Sequence, residues 1–263
     1  MKNNKIGCII QARVLSTRLP GKILLNGFDK PLLLHTIERL KKSKKINKIV
    51  VATTKLKIDN IIFKLCKKNN ISVFRGHPTN LLNRYYYCAK KFNFKSIVRI
   101  TSDCPLMDSN IVDIMIRKFN KYNIDYLSNN HPPTFPDGFD IEIFSYESLK
   151  NAFFFAKKDF QQEHVTPFIW DQPKKFLIKN YYYKGQKNLH NRYRLTLDYV
   201  EDYFVINQIY NALYLKNKYF NLKQILNYIK KNPQIMLNKH LIKVNWYKKH
   251  LKSLKTIKRK DTK

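Results

Sequence analysis

The sequence predicts an α/β fold on a mostly parallel sheet, with helices on both faces in three layers and an antiparallel excursion in the second half. Three observations predict it. Short apolar runs alternate with amphipathic helical stretches four times before Asp125. Those runs are nearly continuous in apolar residues, as strands covered on both faces are. After Asp125 the alternation gives way to a Pro-rich turn region and shorter strand-like runs. At 263 residues the chain can bury a large core as one domain or two small ones.

Lys5 to Gln11 is an apolar run closed by a polar loop, a buried strand. Pro31 to Lys42 carries apolar residues at 33, 34, 37 and 40, one helical face. Lys48 to Thr53 is a second strand, and Asp59 to Asn69 a helix with Ile61, Ile62, Leu65 and Cys66 on one face. Ile71 to Phe74 is a third strand, Leu81 to Phe92 a helix, Ser96 to Thr101 a fourth strand and Ser109 to Asn120 a fourth helix. Ligands in such sheets sit beyond the carboxyl ends of the strands, so site residues should follow Gln11, Thr53, Phe74 and Thr101. In the second half, His131 to Gly138 is a Pro-rich turn, Asp140 to Phe144 a strand and Tyr146 to Lys157 a helix. Phe176 to Tyr183 is strand-like, and Asp202 to Tyr214 and Leu222 to Lys230 are helices. No repeat or low-complexity linker divides the chain. We expect one domain over 1–231, the antiparallel excursion at 131–190 within it, and a basic helical extension or tail at 232–263.

Net charge is +33, from 51 Lys+Arg against 18 Asp+Glu. Such an excess suits a nucleic acid or an anionic membrane surface. It equally suits drift toward A/T-rich codons, because Lys, Asn, Ile, Tyr and Phe are abundant together and Lys is spread along the chain. The spread favours drift, so no specific nucleic-acid partner is expected. Cys8, Cys66, Cys88 and Cys104 form no C-x-x-C pair, which fits a reducing cytoplasm better than a disulfide framework. No apolar run reaches the ~18–20 residues of a membrane span, and Ile6 to Ile10 is too short for a signal-peptide core.

The loop Gln11 to Lys22 reads Q-A-R-V-L-S-T-R-L-P-G-K and directly follows a strand. Its guanidinium and ammonium groups and its two hydroxyls suit a polyphosphate, with backbone amides near Gly21 available to an anion. The Walker A and G-x-G-x-x-G spacings are absent, which argues against a P-loop kinase and a classical dinucleotide fold. An ordinary basic loop is the alternative. Candidate nucleotide contacts here are Ala12, Arg13, Ser16, Thr17, Arg18, Gly21 and Lys22. In R-I-T-S-D-C-P-L-M-D, Asp103 falls just past a strand, where one carboxylate facing a phosphate loop suits Mg²⁺. Asp108 and Ser109 read as a helix cap, and Cys104 as a small buried residue. Asp198 repeats the geometry of Asp103 and is a candidate second metal ligand; Glu201 and Asp202 read as carboxylates at a helix start. Asp137, Asp140 and Glu142 could contact substrate hydroxyls, or be a turn and an edge strand. His164, beside Glu163 in a polar turn, is a candidate substrate contact.

These residues carry a resemblance. The stretches I-I-Q-A-R-V-L-S-T-R-L-P-G-K, V-V-A-T-T, F-R-G-H-P-T-N-L-L-N-R-Y-Y, R-I-T-S-D-C-P-L-M-D, F-P-D-G-F-D-I-E, E-H-V-T-P-F and T-L-D-Y-V-E-D run in order from residue 6 to about 203. The sequence resembles the sugar cytidylyltransferases, the superfamily of CMP-sialate and CMP-Kdo synthetases, and within it the SpsF-type polysaccharide-biosynthesis branch. The resemblance implies a nucleotide-diphospho-sugar transferase fold of Rossmann-like character. It implies transfer of CMP from CTP to a sugar acid hydroxyl with release of pyrophosphate, Mg²⁺ as cofactor and a homodimer formed through the excursion. It implies catalytic roles for Lys22, Arg13 and Asp103, metal roles for Asp103 and Asp198, and a nucleotide pocket at Thr53, Arg75 and Gly76. One departure is N-L-L-N-R-Y, where the family has D-V-L-D-R-Y, so Asn80 and Asn83 replace acids. Other readings stay open: another nucleotide or acceptor, a glycosyltransferase of similar fold, or a non-catalytic polyanion-binding protein.

Overall fold

The computed structural model describes residues 5–183, 188–242, 252 and 254–256. The strand order of its main sheet follows from the alternation of elements. β1 (Ile6–Gln11) is flanked on one side by β4 (Lys48–Thr54) and then β5 (Ser72–Gly76), and on the other by β6 (Ser96–Thr101). The connections carry a two-residue hairpin, β2 (Asn26–Gly27) and β3 (Lys30–Pro31), then α1 (Leu32–Leu40), α2 (Asn60–Lys68) and α3 (Leu81–Lys91). After α4 (Ser109–Tyr122) come β7 (Tyr126–Ser128) and β8 (Glu142–Ser145), then the helices α5 (Tyr146–Phe155), α6 (Asp159–His164) and α7 (Pro167–Trp170). β9 (Ile178–Asn180), α8 (Val200–Leu213) and α9 (Leu222–Lys231) follow. The seven-stranded order is β5-β4-β1-β6-β8-β7-β9. Only β8 opposes its neighbours, because β7 pairs antiparallel to β8 and parallel to β9. The excursion therefore contributes one reversed strand and three helices, and Phe176 to Tyr183 supplies a strand of only three residues.

The strands β1 and β6 are buried on both sides, which explains their near-continuous apolar character. Cys8, Ile10, Val98 and Ile100 face one core with α1 and α4; Ile9 and Ile97 face another with α3 and α5. In α2, Ile62 and Cys66 are buried while Ile61 is exposed, so the apolar face is narrower than the sequence pattern predicts. A third core gathers α8 and α9 around Phe139, Tyr210 and Phe220. Asp108 caps α4 by accepting from Asn110 N, and its other oxygen accepts from Leu222 N at the start of α9. Beyond α9, Asn238 is fully buried and packed on the domain, and Lys255 N and Thr256 N donate to the Asp171 carboxylate. Most of the basic run from Lys249 onward lies outside the described residues. Among the described residues, no helix is long and apolar enough to cross a membrane.

Candidate active site

A cleft of about 830 Å³ opens at the carboxyl ends of β1 and β6. One wall is the loop after β1, from Ala12 to Lys22; another is Thr79, Leu81 and Arg84 at the start of α3; the third is Arg99, Thr101, Ser102 and Asp103 with Glu163 and His164 of α6. The loop is built rather than loose. Val14 N donates to Asp59 Oδ1 at 2.7 Å, and Gly21 N closes a turn onto Val14 O at 2.9 Å. Gly21 takes φ 70°, a left-handed conformation open to glycine at little cost, and this turn delivers Lys22 inward. Arg13, Thr17 and Arg18 stay exposed along the rim.

Lys22 is 8% exposed and joins both candidate metal carboxylates. Its Nζ lies 2.7 Å from Asp198 Oδ1 and 3.2 Å from Asp103 Oδ2. Burial pulls its proton affinity down, but the two carboxylates outweigh that and hold it above the ordinary lysine value. Asp103 moves the opposite way: burial would raise it, but the Lys22 ammonium and the Thr101 hydroxyl keep it ionised below the usual range. Arg18 reaches the same Asp198 oxygen at 2.7 Å. The two loops are sutured through backbone, since Leu197 N and the Thr196 hydroxyl both donate to Asp103 O. Behind Asp198 stands Arg194, 2% exposed, whose guanidinium spans Asp137 at 2.7 Å, Asp198 at 3.4 Å and Asp202 at 2.9 and 3.0 Å. Asp202, expected to do no more than favour a helix start, is fully buried and also accepts from Asp198 N, Tyr199 N and Asn238 Nδ2.

The carboxylates of the excursion are arranged differently. Glu142 is 2% exposed and engaged by Arg99, by the Tyr126 hydroxyl and by the Thr166 hydroxyl, the last two at 2.5 Å. Burial would raise its carboxyl, but the Arg99 guanidinium dominates and holds it far below the usual range. Asp137 is raised to about 6, by burial first, with Arg194 opposing and the other aspartates adding. Asp140 is raised well above the carboxylate range by burial, then by Asp137 and Asp103. Gly138 between them has φ 97°, and a Cβ there would meet the Leu195 backbone at 2.4 Å. Val165 follows His164 with φ 71°, a strained conformation for a β-branched residue. It sits between His164 on the cleft wall and Thr166 on Glu142.

The structure thus brings together Ala12, Arg13, Ser16, Thr17, Arg18, Lys22, Asp103 and His164 on one cleft, with Asp198 bonded to two of them. It does not bring Thr53, Arg75 or Gly76 to the cleft walls. Thr53 is fully buried, Arg75 donates to the carbonyls of Thr54 and Leu56, and Gly76 packs against the Arg84 side chain. Cys104 is buried, its thiol pushed well up by burial and by Asp103, which removes it as a nucleophile. Asn80 caps α3 by accepting from Asn83 N and donates to Gln162 of α6, so the departure from the family acids preserves a cap. Arg84, Arg99 and Arg194 went unread; the signal for Arg99 was a cation inside the otherwise uncharged strand S-I-V-R-I-T.

Among the described residues, no cluster of three or more His, Cys, Asp or Glu is arranged around a metal position. The donor chemistry still fits Mg²⁺, which takes hard oxygen ligands and commonly only one or two protein carboxylates beside phosphates. Asp103 and Asp198 already share one cation, the Lys22 ammonium.

Residues 7–232 match the family described as cytidylyltransferase. An uncharacterised protein of Methanocaldococcus jannaschii is 38% identical over 232 residues, covering 88% of this chain and 93% of its own. The spore coat polysaccharide biosynthesis protein SpsF of Bacillus subtilis is 32% identical over 212 residues, 79% of this chain and 87% of its own. The solved structure of a cytidylyltransferase from Leptospira borgpetersenii superposes with a TM-score of 0.83 at 39% identity, covering 89% of this chain and 97% of that one. A match across 7–232, on a fold that brings the loop after β1, Asp103 and His164 to one cleft, means that this chain belongs to the cytidylyltransferase family.

Proposed function

We propose that the protein transfers CMP from CTP to a hydroxyl of a sugar acid, releasing pyrophosphate, in the synthesis of a surface polysaccharide. The observation that carries this is the buried Lys22 bridging Asp103 and Asp198 beneath a rim of Arg13 and Arg18. Cations that line a cleft beside two carboxylates suit a triphosphate with its metal better than a bare polyanion. Arg13, Arg18 and Lys22 take up the charge that develops on the departing pyrophosphate, an electrostatic contribution that needs no reorganisation. Ser16 and Thr17 offer hydroxyls to the phosphate chain. Asp103 and Asp198 would hold Mg²⁺, which when bound draws electron density from the α-phosphate and acidifies the acceptor hydroxyl. Arg194 keeps Asp198 oriented, and the Gly21 turn keeps Lys22 inward. Catalysis on this reading is positioning plus electrostatics, with in-line attack.

The four buried free thiols support a reducing, cytoplasmic setting. The exposed Phe154 and Phe155, both within 131–190, support a homodimer through the excursion, which light scattering tests. The nucleotide assignment is tested by thermal stability against CTP, ATP, GTP and UTP, with Mg²⁺ and with EDTA, and tripolyphosphate as the anion control. Ligand at ~100-fold over Kd stabilises by ~2.7 kcal/mol, a shift of several degrees. A CTP-selective, Mg²⁺-dependent shift is expected. Equal shifts with every polyanion, indifferent to Mg²⁺, would reduce the basic loop to a charge patch.

A further inference from the structure

We propose that Arg99, set in position by Glu142, binds the carboxylate of the acceptor and so selects acids over neutral sugars. The inference rests on the sugar-acid reading above and names the residue that recognises the acid. Among the described residues, five cationic ones wall the cleft: Arg13, Arg18, Lys22, Arg84 and Arg99. Three belong to the loop after β1, and two of these, Arg18 and Lys22, contact Asp198. Arg84 is spent on structure, its Nε and one terminal nitrogen donating to the carbonyls of His77 and Pro78. That leaves Arg99, which stands on β6, the strand that also carries Asp103 just beyond its end.

Arg99 lies in register between Ile9 of β1 and Glu142 of β8, well inside the sheet. One terminal nitrogen is held by Glu142. Its Nε is buried and has no hydrogen-bond partner among the described residues. A buried guanidinium donor left unmade costs free energy, so a cleft-lining arginine with an unused donor is matched to a ligand that supplies acceptors. A planar carboxylate fits that fork bidentately, where a neutral hydroxyl would meet only part of it. Glu142 is itself fixed by Tyr126 and Thr166, so the guanidinium is oriented before any ligand arrives. The strained Val165 places Thr166 on Glu142 and His164 on the cleft wall at once, which ties this support to the cleft. A nucleobase presents amide-like edges that neutral groups can read; the acceptor's full negative charge is what calls for a cation away from the phosphate loop.

The test compares wild type with Arg99→Lys and Arg99→Gln, and with the double variant Arg99→Gln/Glu142→Gln, which leaves no buried carboxylate unpaired. Thermal melts establish folding. The probes are Kdo and sialate as free acids and as methyl esters, with CTP saturating, and CTP binding is measured separately by calorimetry. Wild type should prefer the acid. The variants should raise KM for the acid roughly 10- to 100-fold, the range of one charged hydrogen bond, and lose the preference over the ester. Their CTP Kd should stay within about twofold of wild type. An unchanged acid KM with the acid preference intact overturns the inference and leaves the proposed reaction standing. A weakened CTP Kd with an unchanged acid KM also overturns it, by placing Arg99 on the nucleotide. A wild-type enzyme that binds CTP yet turns over neither acid overturns both this inference and the sugar-acid reading.

Discussion

Replacing Arg194 with Met should cost the protein about 3 kcal/mol, because the variant strands charges the fold has buried. Arg194 is 2% exposed and Asp202 fully buried, and two guanidinium nitrogens sit at 2.9 and 3.0 Å from the Asp202 oxygens. Removing one partner of such a pair typically costs ~3–5 kcal/mol. The lower end applies, because Asp202 would keep donors from Asp198 N, Tyr199 N and Asn238 Nδ2. At roughly 2–4 °C per kcal/mol for a chain of this size, the melting temperature should fall by about 6–12 °C. Arg194→Lys should recover only part of this, since a point charge cannot span Asp137, Asp198 and Asp202 as a fork does. The informative assay is a double-mutant cycle by calorimetry: Arg194→Met/Asp202→Asn removes the stranded charge and should be less destabilised than the two single changes summed, by at least ~1 kcal/mol. Additive effects, or a Met variant within ~0.5 kcal/mol of wild type, would refute the idea that Arg194 holds these carboxylates together.

Asp103→Asn should stay folded and lose turnover by orders of magnitude, checked by pyrophosphate release; a near-wild-type rate would remove Asp103 from the metal. Lys22→Ala should lower kcat far more than it weakens the apo fold, because Lys22 stands between two carboxylates at the cleft; equal activity would return the loop to a basic surface. Gly138→Ala should destabilise by ~1–3 kcal/mol in chemical denaturation, since φ is 97° and the new Cβ would meet the Leu195 backbone at 2.4 Å. His35, 1% exposed, is lowered by burial from 6.5 to about 4, with its Gly27 carbonyl contact opposing. The unfolded chain therefore binds the proton more readily, so stability should be lost as pH falls from about 6.5 to 4, by up to ~3 kcal/mol. His35→Gln should flatten that stretch of the stability–pH curve, and an unchanged slope would show that His35 does not cause it.

Much of the first half was legible because its strands and helices are long and uniformly patterned. Ser96 to Thr101 is a strand end to end, and α3 and α4 start where the sequence places them. The loop after β1 and Asp103 were legible for the same reason: each directly follows such a strand. The second half was harder. The strand β7 has three residues, too few to show alternation, and α6 and α7 are six and four residues long, interrupted by Pro167. The run before Asp198 reads as a strand but makes only an isolated bridge between Asp137 and Arg194. Arg194 was legible only in part, because Asp198 and Asp202 lie four and eight residues on but Asp137 lies 57 residues away. Glu142 reads from the sequence as a candidate contact to substrate hydroxyls, whereas its buried pairing with Arg99 is set by the register of β6 against β8.

Transfer of CMP to a sugar acid is the reaction on which the assignment of every cleft residue depends. Incubating the protein with CTP, Mg²⁺ and Kdo or sialate, and following phosphorus by NMR, tests it directly. CTP should be consumed in step with pyrophosphate release, and the product should carry a single phosphorus joining cytidine to the sugar acid. No pyrophosphate released with either acid, or UTP or GTP consumed as readily when it replaces CTP, would contradict it.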